Sequence, residues 1–223
     1  LDLNVTHHVL LGGSTGSGKT VLLKLILMQC VSKNADVYIA DFKGGVDYPN
    51  YWQEYCKMQF TVEQFSRTLT DILEVLKDRE RIFKEERCTN IIKYNKIHSD
   101  NPMKRIIVAC DEVAELLDKT SLGKDSKAII VRIERMLSTI ARLGRYAGLS
   151  LVLSTQRSDS EVLKGQIKSN LDFRICGRAD TVLFKIILDN SDGAEKIPKD
   201  KQGVFLTNTG VLFKAYYFDD SEW

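Results

Sequence analysis

The chain has 223 residues, of which 43% are hydrophobic and 28% are charged, and this is the composition of an ordinary globular protein. The formal net charge of +2 excludes a globally basic nucleic-acid binder, so any DNA-binding surface must be a local patch. No apolar run approaches the roughly 18 residues that a membrane span needs. The five cysteines lack metal-ligand spacing and are expected to be reduced, partly buried thiols of a cytosolic protein.

Apolar runs that alternate with stretches of helical periodicity predict an α/β fold. The predicted strands cover residues 8–11, 37–41, 105–111, 149–155 and 173–176, and the predicted helices cover residues 21–31, 61–86 and 126–146. Residues 203–206 and 211–218 predict a final hairpin around the turn at 207–210. We therefore expect a mostly parallel sheet flanked by helices, with an antiparallel C-terminal hairpin. Residues 1–223 are expected to form one domain, excised from a longer protein because the chain opens abruptly at Leu1.

A glycine-rich segment after the first strand predicts a nucleotide site. It fits the pattern G-x-x-x-x-G-K-[ST] and consists of Gly13, Ser14, Thr15, Gly16, Ser17, Gly18, Lys19 and Thr20. Glycines let successive backbone N–H groups converge on phosphate oxygens, and the start of the next helix adds a positive dipole. Lys19 is expected to reach the β- and γ-phosphates of ATP, and Thr20 is expected to offer its hydroxyl to Mg²⁺.

Two acidic residues follow the strand predicted at 105–111. An acid at the carboxyl end of a buried parallel strand lies in the ligand crevice, so Asp111 is expected to hold Mg²⁺. Glu112 is expected to orient or deprotonate the attacking water. The alternative is an acid pair favoured only by the dipole at a helix N-terminus.

Polar residues also follow two other predicted strands. Gln156, after the strand at 149–155, is placed to contact the γ-phosphate or its water, and the alternative is a solvated strand end. Residues 41–44 end the second strand near the same crevice, or they form a simple turn.

These strand ends, in this order, resemble the FtsK/SpoIIIE family of DNA translocases over residues 8–218. The segments that carry the resemblance are residues 13–20, 41–44, 110–112, 154–157, 167–170 and 187–189. The resemblance implies a RecA-like P-loop fold and a ring, expected to be a hexamer, around double-stranded DNA. It further implies a longer, membrane-anchored protein whose motor domain lies at the cytoplasmic face.

The resemblance also implies residues that act outside the nucleotide site. An arginine finger donated to the neighbouring subunit corresponds by position to Arg145, with Arg142 as the adjacent alternative, or Arg145 is simply a cation at a helix end. DNA-facing loops correspond to Arg157 and Lys168, and Lys164 is a local addition. The alternative for these three residues is an ordinary solvated charged face.

The sequence departs from the family at one DNA-facing loop. Near residues 181–182 the family carries a basic loop, and here only Arg178 and Lys185 flank that position. The segments 41–43, 115–118 and 197–200 look most like members from conjugative elements of Gram-positive bacteria. A protein-secretion motor of the related type VII systems is the main alternative function, and a nucleotide-binding scaffold with little turnover is a further one.

Overall fold

One mixed β-sheet organises the chain, and the computed structural model describes residues 2–3, 5–49, 51–157, 165–191, 193–198 and 200–220. The strands are β1 Val9–Gly12, β2 Asp36–Ala40, β3 Lys57–Gln59, β4 Ile106–Cys110, β5 Leu149–Thr155, β6 Phe173–Gly177, β7 Val204–Thr207 and β8 Leu212–Lys214. The α-helices are α1 Lys19–Ser32, α2 Tyr51–Tyr55, α3 Val62–Glu85, α4 Ile91–Ile97, α5 Val113–Leu117, α6 Lys124–Ala147, α7 Gly165–Lys168 and α8 Thr181–Leu188. A 3₁₀ helix spans Ala194–Lys196.

The strands lie in the order β3-β2-β4-β5-β1-β6-β7-β8. The first six strands in this order pair in parallel, whereas β7 runs antiparallel to both β6 and β8. The parallel strands therefore all end at one edge of the sheet, called the carboxyl edge here, and begin at the opposite, amino edge. The predicted mostly parallel sheet with an antiparallel C-terminal hairpin is confirmed.

Helices cover both faces of this sheet. On one face, Phe65 of α3 and Phe184 of α8 belong to the same buried cluster as Leu10 of β1. On the other face, Leu23 of α1 is in a second buried cluster with Val9 of β1. Successive side chains of a strand point to opposite faces, and this alternation explains why a continuous apolar run forms a strand buried on both sides.

The long helices begin and end at recognisable signals. Thr61 caps α3 through a capping box, in which its Oγ1 accepts from the Gln64 N–H and the Gln64 Oε1 accepts from the Thr61 N–H, both at 3.2 Å. Helix α6 ends because Gly148 takes a left-handed conformation with φ of 75°. A Cβ at Gly148 would lie 2.4 Å from Ile91 Cδ1, so a larger residue does not fit there. Within the part of the chain that is described, no helix is long and apolar enough to cross a membrane.

The second strand of the hairpin is shorter than predicted. Residues 211–218 were expected to be extended, but the strand pairs only over Leu212–Lys214. One further ladder-like bond follows, from the Ala215 N–H to the Gly203 carbonyl at 2.8 Å. Beyond it Tyr216 and Tyr217 are exposed, whereas Phe218 packs against the buried cluster that contains Val9 and Leu23.

Candidate nucleotide-binding site

The glycine-rich loop connects the carboxyl end of β1 to the start of α1. Gly16 and Gly18 have φ values of 74° and 92°, a region that side chains disfavour. A Cβ on Gly18 would also lie 3.1 Å from the backbone nitrogen of Gly203. Because Gly18 is the N-cap of α1 and has no side chain, it leaves the first-turn N–H groups of the helix uncapped. These groups and the helix dipole create a site for phosphate oxygens.

Lys19 and Asp111 form a buried ion pair where β1, β4 and β5 end side by side. Lys19 Nζ lies 2.7 Å from Asp111 Oδ1, and the two side chains are 8% and 5% exposed. The same ammonium group donates to Ser154 Oγ at 2.9 Å and to the Asp111 carbonyl at 3.2 Å. Ser154 in turn donates to Asp111 Oδ1 at 2.7 Å. Three strand ends therefore fix the position of the lysine that the P-loop pattern predicts.

The pKa values of the two neighbouring carboxyl groups, Asp111 and Glu112, are shifted in opposite directions. Burial alone would raise the pKa of Asp111, but the Lys19 ammonium and the Ser154 hydroxyl outweigh it and hold that pKa below its usual value. Burial raises the pKa of Glu112, and the bond from Thr155 and the charge of Lys19 offset only part of this increase. Asp111 therefore suits a permanently ionised ligand, whereas Glu112 suits a group that accepts a proton.

Oxygen ligands of the type that Mg²⁺ prefers meet at this point. Thr20 Oγ1 is 3.4 Å from Asp111 Oδ2, so a hydroxyl and a carboxylate converge beside the phosphate-binding loop. Mg²⁺ usually takes one or two protein ligands and completes its shell with phosphate oxygens and water. The donor set thus fits a nucleotide–Mg²⁺ complex, which Thr20 and Asp111 would bind through the ion and Lys19 through the phosphates.

Glu112 is bonded to the end of β5. Thr155 Oγ1 donates to Glu112 Oε1 at 2.7 Å, and the Gln156 N–H donates to Glu112 Oε2 at 3.1 Å. The Gln156 side chain faces the glycine-rich loop, because its Oε1 accepts from Thr15 Oγ1 at 3.2 Å. The structure therefore brings Gln156 and Glu112 together at the loop, as the order of the strand ends led us to expect.

Three further residues contact the site and were not predicted individually, although residues 41–44, which include Lys43, were expected near the crevice. Ser154 touches both Lys19 and Asp111, and its position at a strand end was the available signal. Arg178 brackets the loop: its carbonyl accepts from the Ser14 N–H at 2.8 Å, and its Nη2 donates to the Thr15 carbonyl at 3.2 Å. In the sequence Arg178 flanks the position of a DNA-facing loop, but in the structure it lies against the glycine-rich loop.

Lys43 is the third of these residues and lies in the turn after β2. Its Nζ is 3.2 Å from Asp47 Oδ2 and 4.0 Å from Asp111 Oδ2. Burial acts to lower the pKa of Lys43, but the carboxylates of Asp47 and Asp111 outweigh it and raise that pKa. The turn at 41–44 is thus close to the crevice and supplies a second positive charge to Asp111.

The family model for FtsK/SpoIIIE matches residues 1–160, which is well over half of the chain. The chain belongs to the FtsK/SpoIIIE family. Among curated relatives, the DNA translocase FtsK of Helicobacter pylori strain J99 is 29% identical over 212 residues, a match that covers 88% of this chain and 23% of the relative. The DNA translocase FtsK of Clostridium acetobutylicum is 28% identical over 207 residues, covering 88% of this chain and 26% of the relative. The chain therefore spans about a quarter of the length of the curated relatives it matches.

Solved structures agree with the family assignment. The conjugation coupling protein TcpA of pCW3, in its monomer form with ATPγS, has a TM-score of 0.93 and 39% identity, covering 100% of this chain and 63% of that chain. The cytoplasmic domain of the type VII secretion ATPase EccC of Thermomonospora curvata has a TM-score of 0.73 and 24% identity, covering 94% of this chain and 25% of that chain. The EccC likeness bears on the fold alone. The predicted P-loop ATPase fold and FtsK/SpoIIIE resemblance are confirmed.

Arg145 lies at the other edge of the sheet from the glycine-rich loop. It is exposed in the last turn of α6, which leads directly into the amino end of β5. Its positive charge also acts on His7, just before β1, and contributes to lowering the pKa of that histidine after the larger effect of burial. Arg145 is therefore separated from the nucleotide site of its own chain by the length of the parallel strands.

The residues expected to contact DNA do not form one patch in the described chain. Arg157 follows the carboxyl end of β5 and pairs with Asp118, whose Oδ2 lies 3.0 Å from Arg157 Nη1. Lys168 Nζ lies 2.5 Å from Asp189 Oδ1, and Asp189 also pairs with Arg174 near the amino end of β6. Because β5 and β6 run in the same direction, these two ion pairs lie towards opposite edges of the sheet. The third expected residue, at position 164, falls outside the described residues.

Proposed function

We propose that this chain is the ATP-hydrolysing motor domain of a DNA translocase. The observation that carries the proposal is the buried junction of Lys19, Asp111 and Ser154 below an uncapped helix start, with Glu112 next to it. This arrangement is suited to hold a triphosphate, a divalent ion and an attacking water in one place. Membership of the FtsK/SpoIIIE family supports DNA as the substance that is moved.

Each residue of the site has a distinct role in the proposed hydrolysis. The loop amides and Lys19 bind the phosphates of ATP, and Thr20 and Asp111 hold Mg²⁺. When bound, Mg²⁺ neutralises the charge that develops on the phosphate oxygens. Glu112 orients the attacking water and accepts its proton, and Gln156 responds to the γ-phosphate because its side chain already contacts Thr15 of the loop.

The motor is proposed to work as a ring of identical subunits, with a hexamer as the expected form. Arg145 is exposed and lies at the edge of the sheet away from its own nucleotide site, so it can act as a finger only on a neighbouring subunit. Such a finger accelerates phosphoryl transfer by roughly 10³–10⁵. Hydrolysis would then require assembly, and Arg157 and Lys168 would contact the phosphates of duplex DNA within the ring.

The setting proposed for this motor is a longer, membrane-anchored protein in which residues 1–223 form one domain at the cytoplasmic face. Such a motor is suited to both DNA segregation and conjugative transfer. The 39% identity to the conjugation coupling protein TcpA favours conjugative transfer. It also favours DNA over the type VII alternative, since EccC is only 24% identical over its matched region.

The first experiment measures the ATPase rate with and without duplex DNA over a range of protein concentrations. We expect DNA to raise the rate, and the specific activity to increase with protein concentration because sites form between subunits. Stimulation should weaken steeply as salt rises from about 50 to 200 mM, since phosphate contacts release counterions. Lys19→Ala should remove turnover under all conditions. An equal rate with and without DNA at every concentration would contradict the proposal.

A mixing experiment tests whether Arg145 acts on the neighbouring subunit. Arg145→Ala and Glu112→Gln proteins should each be inactive, but their mixture pairs an intact Arg145 with an intact Glu112 at some interfaces. Random assembly predicts recovery of about a quarter of the wild-type interfaces. Arg142→Ala is the matched control, and its activity should stay close to that of the wild type. A co-assembled mixture without activity would remove Arg145 as the finger.

A further inference from the structure

Glu112 is not free to act on a water in this structure, because the end of β5 binds its carboxylate. One oxygen accepts from Thr155 Oγ1 at 2.7 Å, and the other accepts from the Gln156 N–H at 3.1 Å. Glu112 and Thr155 are both buried, at 8% and 0% exposure, so solvent does not compete for these bonds. A hydrogen bond to a charged group in such surroundings shifts an equilibrium by roughly tenfold or more.

Thr155 links this bond to the next residues of the chain. A hydroxyl has one proton to donate, and Thr155 Oγ1 gives it to Glu112. The same oxygen accepts from the Arg157 N–H at 3.1 Å. Residues 155–157 therefore form a short hydrogen-bonded turn in which the orientation of the hydroxyl depends on the position of the Arg157 backbone.

Arg157 is held at its other end by an acid from the Glu112 segment. Its Nη1 lies 3.0 Å from Asp118 Oδ2, and Asp118 directly follows α5, the short helix that begins after Glu112. The Arg157 and Asp118 side chains are 43% and 31% exposed, so this ion pair is weak and open to exchange. A phosphodiester of DNA offers the guanidinium the same bidentate geometry as a carboxylate, and the neighbouring phosphates of the duplex add to the negative potential around it.

We propose that Thr155 is a positioning residue that holds Glu112 out of use until a phosphate of DNA draws Arg157 away from Asp118. This rests on the proposed function, because DNA is the polyanion in question. Movement of Arg157 disturbs the bond to Thr155 Oγ1, and the hydroxyl then releases the Glu112 carboxylate to the attacking water. The ATPase is thereby kept slow in the absence of DNA without any change in the phosphate-binding loop.

Amide hydrogen exchange of nucleotide-free protein tests the proposal without turnover. We expect a duplex of about 30 base pairs to speed exchange of the Gln156 amide, and Thr155→Val to do so without DNA, both by roughly tenfold. Thr155→Ser should behave as the wild type, and Thr89→Val, which changes an exposed threonine far from the site, should have no effect. Bound DNA that leaves this amide unchanged, or equal exchange in Thr155→Val and wild type, would overturn the proposal.

ATPase kinetics supply the second measurement. Thr155→Val should raise the DNA-free kcat by roughly tenfold with little change in KM, so the stimulation by DNA falls by the same factor. Thr155→Ser, which keeps the hydroxyl, should restore both the low DNA-free rate and the stimulation. If Thr155→Val instead lowers the rates with and without DNA equally, or if serine fails to restore them, Thr155 is only structural.

The proposed hold of Asp118 on Arg157 is tested with a variant that keeps the shape of the Asp118 side chain. Asp118→Asn should lower the DNA concentration for half-maximal stimulation by about two- to fivefold and raise the DNA-free rate, because Arg157 is less firmly held. Asp78→Asn changes an acid of another exposed ion pair and should have neither effect. If Asp118→Asn leaves both the half-maximal DNA concentration and the DNA-free rate unchanged, Asp118 does not restrain Arg157. If DNA does not stimulate the wild-type ATPase, the proposed function is refuted. The amide hydrogen exchange and the DNA-free ATPase rate of Thr155→Val still decide whether Thr155 holds Glu112.

Discussion

The burial of His8 leads us to expect that the free energy of unfolding falls in mild acid, by an amount that can be calculated from the surroundings of this residue. It is 2% exposed, and its Nδ1 accepts from the Leu151 N–H at 3.1 Å, which requires the neutral imidazole. Burial lowers the pKa of His8 to about 4 from its ordinary value of 6.5, although the Asp172 carboxylate opposes the shift. Between these two pH values His8 is protonated in the unfolded chain but neutral in the native state. The free energy of unfolding therefore falls as the pH falls through this range.

The size of the effect follows from the two pKa values. A shift from 6.5 to about 4 corresponds to about 3 kcal/mol once the pH is below both values. Between pH 7 and pH 4.5 most of this is lost, so His8 should remove about 2 kcal/mol of the free energy of unfolding. His8→Asn keeps an acceptor for the Leu151 N–H and does not titrate in this range.

Urea unfolding at pH 7 and pH 4.5 measures the difference. The wild type should lose about 2 kcal/mol more than His8→Asn between the two conditions, while carboxylates that titrate in both proteins cancel. His98→Asn is the matched control, because it makes the same substitution at a partly exposed imidazole that directly follows α4. An identical pH dependence in wild type and His8→Asn would refute the reasoning.

Three further predictions concern the core, the thiols and Glu112. Arg79→Met should lower the free energy of unfolding by about 3 kcal/mol in urea titrations, because two carbonyls, of Ala147 and Lys104, lose donors now at 2.6 and 2.7 Å. Thiol titration at pH 8 should find no rapid reaction in native protein and five thiols after unfolding, since burial raises the thiol pKa to about 11 at Cys30 and about 12 at Cys56. Glu112→Gln should bind an ATP analogue like the wild type but turn over ATP roughly 10²–10⁴-fold more slowly, as measured by equilibrium binding and single turnover.

The central strands and the long helices could be predicted because their signals are local. Strand β4 is a continuous apolar run, and its residues are fully or almost fully buried, as a strand covered on both faces must be. The capping box at Thr61 and Gln64 begins α3 one residue from the predicted start. Lys19 lies next to Asp111 because both follow strands whose ends share one edge.

The short elements could not be predicted from the same signals. Strand β3 has three residues, Lys57–Gln59, and none of them is fully buried, so neither length nor alternation marks it. It exists because β2 offers it a free edge, with Tyr38 paired to Lys57. Helix α8 begins at an ordinary Asp180 cap and covers only two turns. Such elements depend on tertiary partners rather than on periodicity.

The place of Arg178 shows what a list of strand ends leaves open. The sequence gives the order of strands along the chain, but the side chains near a P-loop depend on which strands neighbour β1 in space. Strand β1 has β5 on one side and β6 on the other, and Arg178 immediately follows β6. Its contacts with Ser14 and Thr15 are therefore consequences of strand order alone.

The same neighbour relations explain how a signal can cross the site without moving the sheet. Strand β5 lies between β4 and β1, so its end touches Glu112 on one side and the glycine-rich loop on the other. Strand β5 is buried and pairs with β4 over 149–153 and with β1 over 152–155, so its residues cannot shift independently, whereas Gln156 and Arg157 just beyond it are exposed. A change at Arg157 can therefore reach Glu112 through the turn at 155–157, while the ion pair of Lys19 and Asp111, anchored on the strands, stays in place.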